Sequence, residues 1–422
     1  MLDSKPGLMD SVRDKFAHVD NCPYQGKRIF FENAGGALTL KSVVDTTATF
    51  AAIPDNQGRA NPASHALVDV INTAKQRCKV LFNASGGQVF VGESGTELLF
   101  RMIRNAVLGS PAGGNVVGTS LEHPATRSAA IRWAEVAGKP YINIPHNNQT
   151  GAVEVTDYEQ YITAETRVAT IIHTSPVTGM AVDIETITKK IREVSPECYI
   201  IIDGIQHAAH GRLDIDAYNI DGYAISPYKM FSRHGYGVAW ISDRLTDLDH
   251  DSLIDGPEGN WELGTRDTSA YATLNDVVDY FEWLGEHFTE SVDPRTRIVA
   301  AGSAIHSHEK TLTDAMLYGI DNIPGLEKLA GVDILGGVEN PRREGLVSMT
   351  IEGIPAVDIV EFLSSSGIRT HVRKADHYSG SVLKPLGLDS CVRVSMCHYN
   401  TIEEVKAFLV ATADLIDSSP AE

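Results

Sequence analysis

Two residues carry the first chemical signal. Asp203 closes the apolar run YIIID (199–203) and opens the polar stretch GIQHAAHG, while Lys229 follows the run GYAIS (222–226) in Ser226-Pro227-Tyr228-Lys229. A short continuous apolar run reads as a strand buried on both faces, and parallel strands deliver the residues at their carboxyl ends to the ligand crevice of an open sheet. The carboxylate would then sit where water is scarce and a cationic partner is needed. The lysine would face the same crevice. Taken singly, each has a plainer reading, Asp203 as the cap of the following turn and Lys229 as a solvated surface lysine. Taken together they are the pair that pyridoxal 5'-phosphate requires. A lysine amine forms a Schiff base with the cofactor's aldehyde, and an acid keeps the ring nitrogen protonated so that the ring absorbs carbanion electrons.

A phosphate needs a cradle, and Gly92-Glu93-Ser94-Gly95-Thr96-Glu97 offers one at a strand-to-helix junction. Backbone N–H groups at a helix start favour an anion. Gly95 permits close backbone approach and Thr96 adds a hydroxyl; the plainer reading is a helix start capped by Ser94 or Thr96.

The elements that must position these groups follow from periodicity. The apolar runs QVFVG, NVVGTS, YINIP, VATIIHT, CYIIIDG, GYAIS and GVAWIS alternate with helical patterns such as 96–108, 125–137 and 184–194. That alternation predicts an α/β fold, with a doubly wound, mostly parallel sheet and right-handed crossovers. Residues 271–318 turn helical, with an interruption near Pro294, and a shorter pattern follows: strand LVSMTIE, helix 356–366, strand CVRVSM and helix 402–416. The reading is therefore an N-terminal segment (1–40) packing on the small domain and active site, a large cofactor-binding domain (41–290) and a small C-terminal α+β domain (291–422).

Composition narrows the partners. Thirty-six basic against 55 acidic residues among 422 give a formal charge of -19, which opposes nucleic acid and anionic membrane surfaces. No run approaches the roughly 20 apolar residues of a membrane span, and residues 1–16 are charged with no signal-peptide hydrophobic region, so a cytoplasmic protein is expected. Five scattered cysteines without a Cys-x-x-Cys pair predict reduced thiols and no metal site. A reading from another class is an α/β module that binds a ligand without catalysis; against it, no Gly-x-Gly-x-x-Gly follows the first strand.

The segments FENAGG, SGTE, LEHPAT, HTSPVTG, IDGIQHAAHG, SPYKMF with GYGVAW, WELGTR and CVRVSMCHYNT resemble, in order and spacing, the class V aminotransferases, in the cysteine-desulfurase-like branch of the fold-type I pyridoxal-phosphate enzymes. The resemblance implies that His123 stacks on the cofactor ring, Asp203 pairs with its nitrogen, Gln206 approaches the phenolic oxygen and Lys229 forms the Schiff base. It further implies that Gly95, Thr96 and Ser226 hold the phosphate and that Thr265 reaches the partner's phosphate across a homodimer interface. Arg393 would grip the carboxylate of a small amino-acid substrate, a task suited to a bidentate guanidinium, and Asn33 would lie beside it.

Three departures matter. Residues 370–386, THVRKADHYSGSVLKPL, hold no cysteine where desulfurases carry their nucleophile. Tyr228 precedes the lysine where they have histidine, and Pro176 replaces an asparagine. Lys229 remains a natural base for the α-proton, and β-elimination with a thiol-type leaving group is the favoured outcome. Transamination and racemisation or epimerisation remain open. His371, Arg373, Lys374, His377 and Tyr378 are candidates to meet the substrate's far end or to be merely solvated.

Overall fold

The computed structural model describes residues 2–418; the first residue of the N-terminal segment and the last four of the small domain lie outside the described residues. Each of the seven apolar runs forms a strand: β1 (Gln88–Gly92), β2 (Asn115–Thr119), β3 (Tyr141–Ile144), β4 (Thr166–Ile172), β5 (Tyr199–Asp203), β6 (Gly222–Ile225) and β7 (Gly237–Ile241). They lie in one sheet in the order β1-β7-β6-β5-β4-β2-β3. Only β7 runs against its neighbours β1 and β6; the remaining pairs are parallel.

The apolar runs are continuous because both faces of the sheet are covered. Ile201 of β5 points into a cluster with Leu98, Met102 and Ile103 of helix α3 (Gly95–Gly109) and Ala129 and Ala130 of α4 (Pro124–Val136). Its neighbours Ile200 and Ile202 point the other way, into a larger cluster with Ile187 and Ile191 of α5 (Ile184–Val194). This is the two-residue alternation of a strand seen from both sides. The larger cluster also takes Ile71, Ala74 and Cys78 from a 21-residue helix, Pro62–Phe82, and Val277 and Phe281 from α6 (Thr268–Glu286). The break near Pro294 is a helix start: Asp293 caps α7 (Pro294–Tyr318) by accepting the Thr296 N–H, and the proline occupies the first turn, where a missing N–H costs nothing.

A second, antiparallel sheet has the order β8-β9-β11-β10, from Val332–Ile334 (β8), Leu346–Ile351 (β9), His371–Lys374 (β10) and Ser390–Ser395 (β11). The segment 370–386, expected to be a loop, begins as the edge strand β10 and continues through a turn into a short helix, Gly380–Leu383. Edge strands tolerate charge on their open side, which is why HVRK reads as a loop. Helices α8 (Ala356–Ser365) and α9 (Ile402–Ser418) cover this sheet with Leu363, Phe408 and Leu409, and Phe31 from the N-terminal segment enters the same cluster. That segment is tied in by parallel pairing of Ile29–Phe30 with Ile368–Arg369 and by a bridge from Glu32 to Ser395. Among the described residues no helix is long and apolar enough to cross a membrane.

At the amino-terminal edge of the main sheet, far along the strands from Asp203, the buried Asp221 holds three strands in register. Its carboxylate accepts the Ile200 N–H at 2.9 Å, Arg192 and Arg244 at 2.8 Å each, and the Ser242 hydroxyl at 3.1 Å. Asp221→Ala would leave two guanidiniums and a buried N–H without their acceptor. The expected loss is about 3 kcal/mol, the low end for a broken buried pair because both arginines keep some access to water. Urea unfolding followed by circular dichroism measures it; an unchanged midpoint would refute the assignment.

Candidate active site

Adjacent strands set the geometry. Asp203, the last residue of β5, is in register with Ala224 of β6, so both strands run out at the same edge and the chain after β6 brings Ser226 and Lys229 alongside the carboxylate. Asp203 is buried, with Oδ2 accepting the Thr126 hydroxyl at 3.0 Å and Oδ1 accepting the Ile205 N–H at 3.1 Å. No lysine or arginine among the described residues forms an ion pair with it. Glu122 lies close enough for the two carboxyls to repel. Burial and that repulsion push Glu122 up to about 8, so at neutral pH most of Glu122 holds its proton.

Lys229 donates from Nζ to Gln206 Oε1 at 3.2 Å. Burial, then the positive charges of Arg393 and Arg373, push its amine down to about 7, while Asp203 pulls the other way. Such an amine is largely a nucleophile and base at neutral pH. His123 caps α4: its Nδ1 accepts the Ala125 N–H at 3.2 Å, which fixes the ring. Burial lowers its basicity, opposed by Asp203 and reinforced by Lys229 and Arg373. His123 thus both caps α4 and stands close enough to Lys229 to feel its charge.

The cradle lies at the start of α3. Ser94, the cap, accepts the Glu97 N–H at 3.1 Å and its carbonyl accepts the Leu98 N–H at 3.1 Å, so the Gly95 and Thr96 N–H groups that open this 15-residue helix are the ones without a helical acceptor. A Cβ on Gly95 would fall 2.5 Å from Ser226 Oγ and 2.5 Å from Ile205 Cδ1, and one on Gly237 would fall 2.5 Å from Gly95 N. The glycines of SGTE and GYG therefore let the Ser226 hydroxyl and the start of β7 pack directly against the start of α3, which sets that hydroxyl beside the first backbone N–H groups of the helix, a donor set that fits a phosphate. Thr96 is exposed on the first turn of α3.

Arg393 arrives from the other sheet. It is 2% exposed, Nη1 donates to the Pro176 carbonyl at 3.0 Å and its Nε has no partner. Burial and Arg373 weaken its hold on its proton, against the pull of Glu32. Pro176, the departure from the family pattern, serves by its carbonyl, presented by a turn in which Ser175 Oγ accepts the N–H groups of Val177 and Thr178.

Two of the expected residues are not brought to this point. Asn33, expected beside the substrate, uses its amide elsewhere: Nδ2 donates to the carbonyls of Phe30 and Ser395 and to Asn400 Oδ1, and Oδ1 accepts the Tyr399 hydroxyl. It is a bolt between the N-terminal segment and β11, with no free N–H. Thr265 is exposed, with no hydrogen bond to its own chain's cradle, although the adjacent Arg266 pairs with Glu93.

Apart from Tyr228, the other groups at the site were not singled out by sequence. Thr126 lies three residues past His123 in the first turn of α4, a spacing that puts both on one face and was a usable signal for an Asp203 partner. Tyr228 stacks on His234 with ring centroids 4.3 Å apart and walls the pocket against Gly36. His173 stacks on His207 at 3.6 Å, and His207 pairs with Glu344 at 2.7 Å. The sequence has no metal-ligand spacing, yet the fold gathers His210, Glu309 and Cys397 with potential ligand atoms within 4.8 Å; His210 and Glu309 are hydrogen-bonded at 2.8 Å.

An amine of depressed basicity beside a buried carboxylate and an anion cradle, at the carboxyl edge of a mostly parallel sheet, defines a fold-type I enzyme of amino-acid chemistry. Residues 29–408 match the family model for class V aminotransferases. The chain belongs to the class V aminotransferase family, whose members are pyridoxal-phosphate enzymes. It is 25% identical to the aminotransferase-like protein FGM3 of Gibberella zeae over 97% of this chain and 99% of that protein. It is 24% identical to a probable cysteine desulfurase of Xylella fastidiosa, covering 91% and 89% of the two chains. Identity to the cysteine desulfurase-like protein ustD of Aspergillus flavus is also 24%, over 95% and 89%. In fold it resembles the apo cysteine desulfurase of Thermococcus onnurineus, with a TM-score of 0.82 at 21% identity over 97% and 98% of the two chains.

The electrostatics of Lys229 can be tested without cofactor. Labelling of Lys229 by an amine-reactive reagent, followed by peptide mass spectrometry, should fall off as the pH drops through about 7, because the ammonium form has no lone pair. Asp203→Asn removes the group that opposes the shift and should move the half-point lower; Arg393→Gln should move it higher. A half-point near the ordinary lysine value of about 10.4 would contradict the described environment.

Proposed function

We propose that the chain is a pyridoxal-phosphate enzyme acting at Cα and Cβ of a small amino acid, with Lys229 as the cofactor lysine and the α-proton base, and that its reaction is β-elimination of the carbon–sulfur lyase or desulfurase-like kind. The observation that carries this reading is the Lys229 amine, pushed down to about 7 and set by adjacent strands beside the buried Asp203. When bound, the cofactor supplies an electron sink for charge left at Cα.

The chain's own residues do the rest. Asp203, fixed through Thr126 and the Ile205 N–H, presents the negative charge that keeps a ring N–H in place. His123, its ring held by the cap bond, covers one face of the ring. Gln206, whose Oε1 now accepts from Lys229, has an amide N–H to offer the phenolic oxygen. Gly95, Thr96 and Ser226 receive the phosphate at the start of α3. Arg393 takes the α-carboxylate and so sets which bond at Cα stands toward Lys229. Lys229, as a free amine, would be the base that takes the α-proton; an amine with a pKa near the working pH combines availability with driving force.

Elimination suits this site because it needs a base at Cα and a way to protonate the leaving group, and no thiolate. The segment 370–386 supplies none. The buried Cys391 is pushed up to about 11 and Cys397 further, both by burial. Transamination is the second reading, favoured by the family match and by the aminotransferase-like relative. It uses the same lysine to move the proton onward. Racemisation or epimerisation requires a second base on the far face. On this reading the large domain (41–290) holds the cofactor and the small one, from residue 291, supplies the carboxylate arginine. The exposed Thr265 suits a contact with a partner's cradle in a homodimer, and the five free thiols suit the reducing cytoplasm.

The purified protein should be yellow, and borohydride reduction followed by peptide mass analysis should fix the cofactor on Lys229. Lys229→Ala should abolish both that adduct and turnover. A protein that stays colourless with added cofactor would overturn the proposal. Screening amino acids for pyruvate, ammonia or sulfide release in deuterated water separates the reactions: deuterium at Cα with no keto acid formed would defeat elimination.

A further inference from the structure

Away from the Lys229 crevice, three side chains of metal-binding type meet in the interior. His210 lies in the chain after β5, Glu309 on α7 and Cys397 two residues past β11. One donor atom from each lies within 4.8 Å of the other two. His210 is 6% exposed, Glu309 2% and Cys397 1%. None of the three has a part in the Lys229 site, yet they hang on the elements that carry it: His210 follows Gln206 by four residues, and Cys397 follows Arg393 by four. The cluster therefore joins the main sheet, the long helix and the second sheet.

The three satisfy one another only in part. His210 Nδ1 and Glu309 Oε2 share a hydrogen bond at 2.8 Å, whereas Glu309 Oε1 is buried without a partner. A carboxylate oxygen left that way costs free energy, and no lysine or arginine among the described residues forms an ion pair with Glu309. The Cys397 N–H is taken by Asn400 Oδ1 at 2.9 Å, and its thiol stands between the Glu309 carboxylate and the Tyr399 hydroxyl. The surroundings leave room beside the carboxylate. A Cβ on Gly345 would fall 3.2 Å from Glu309 Oε2 and 3.1 Å from the Met396 carbonyl oxygen; a glycine there lets the carboxylate turn.

A divalent cation answers all of this. With Glu309 and Cys397 as anions and His210 neutral, two negative charges meet two positive ones and the buried cluster closes at zero net charge, as the interior requires. Binding expels the thiol proton and the proton shared by His210 and Glu309. One sulfur, one nitrogen and one carboxylate form a borderline-soft set, which suits zinc and not calcium or magnesium. Ligand atoms of a tetrahedral zinc stand about 3.3 to 3.8 Å apart, so a spread within 4.8 Å has about an ångström to close. We propose that His210, Glu309 and Cys397 bind an ion of the zinc class, Glu309 offering both oxygens, as a structural clasp that sets the chain carrying Gln206 against the strand carrying Arg393. Because all three ligands are buried, the ion enters as the chain folds.

The test uses the full chain, produced in medium supplemented with Zn²⁺ and dialysed against EDTA to strip ions held by surface groups. Elemental analysis should find about one zinc per chain, and X-ray absorption at the zinc edge should show one sulfur at about 2.3 Å among nitrogen and oxygen ligands at about 2.0 to 2.2 Å. Cys397→Ala and Glu309→Gln should each cut the retained zinc at least about tenfold. Cys22→Ser, which alters the one thiol of the five that is not buried, should leave it unchanged. Protein made in zinc-depleted medium should melt at a lower temperature than the zinc-loaded form, a difference that should vanish in Cys397→Ala. Loss of all zinc on dialysis would overturn the proposal, as would an absorption spectrum with no sulfur ligand; both are read on the unaltered chain and stand even if a variant fails to fold. Full zinc retention by Cys397→Ala and Glu309→Gln would overturn it equally. None of these readouts depends on the cofactor or on turnover.

Discussion

Asp203 is a buried carboxyl group held only by neutral donors, a hydroxyl and a backbone N–H. A carboxylate in that position costs free energy unless a cation completes it, and the rest of the site is arranged around that need. Glu122 beside it is pushed by burial and by Asp203 toward keeping its proton. The register of β5 with β6 brings an amine to the same edge. The antiparallel return of β7, with Gly237 against the Ser94–Gly95 backbone, brings a helix start there too. Sheet order thus decides that carboxylate, amine and anion cradle converge.

What could be read from residues alone follows burial. The seven strands of the main sheet are covered on both faces and so are nearly pure apolar runs, which makes them visible. The helix Pro62–Phe82 buries a stripe of only seven of its 21 residues, and its polar majority hides it. Strand β10 is hidden for a different reason: it is a charged edge strand, and His371, Arg373 and Lys374 resemble loop composition. The site shows the same division. Asp203 and Lys229 were legible because strand ends announce a crevice. Asn33 shows less from sequence, because its motif lies near the pocket while its amide is bonded to Phe30, Ser395 and Asn400. The pairs His207–Glu344 and His210–Glu309 join residues 137 and 99 positions apart, and no spacing rule reaches that far.

Net charge and site charge point in opposite directions. The chain carries -19 overall, yet Arg393, Arg373 and Lys229 face one another without a paired carboxylate. A strongly acidic surface repels anionic ligands at long range, but that repulsion is screened over about 8 Å at physiological ionic strength. Capture is decided inside the crevice, where water is scarce and each contact counts for more. Burial depresses Lys229 first, and the nearby positive charges of Arg393 and Arg373 add to it.

The thiols bear on the same question from another side. Persulfide chemistry needs a thiolate that reaches the substrate's sulfur, and thiolates form where positive charge or N–H groups stabilise them. Cys391 lies on the face of β11 that bears Arg393, yet burial outweighs both nearby arginines and raises it. Cys22 has the opposite character, lowered by the N–H groups of Tyr24 and Gln25, but it sits in the short strand Asn21–Cys22 of the N-terminal segment, outside the 370–386 segment. What stands beside His123 from that segment is a phenol, Tyr378, a group that donates a proton and does not accept sulfur. On the proposed reading the depressed lysine serves Cα and no thiolate has to accept sulfur, and that division of labour is the physical content of elimination.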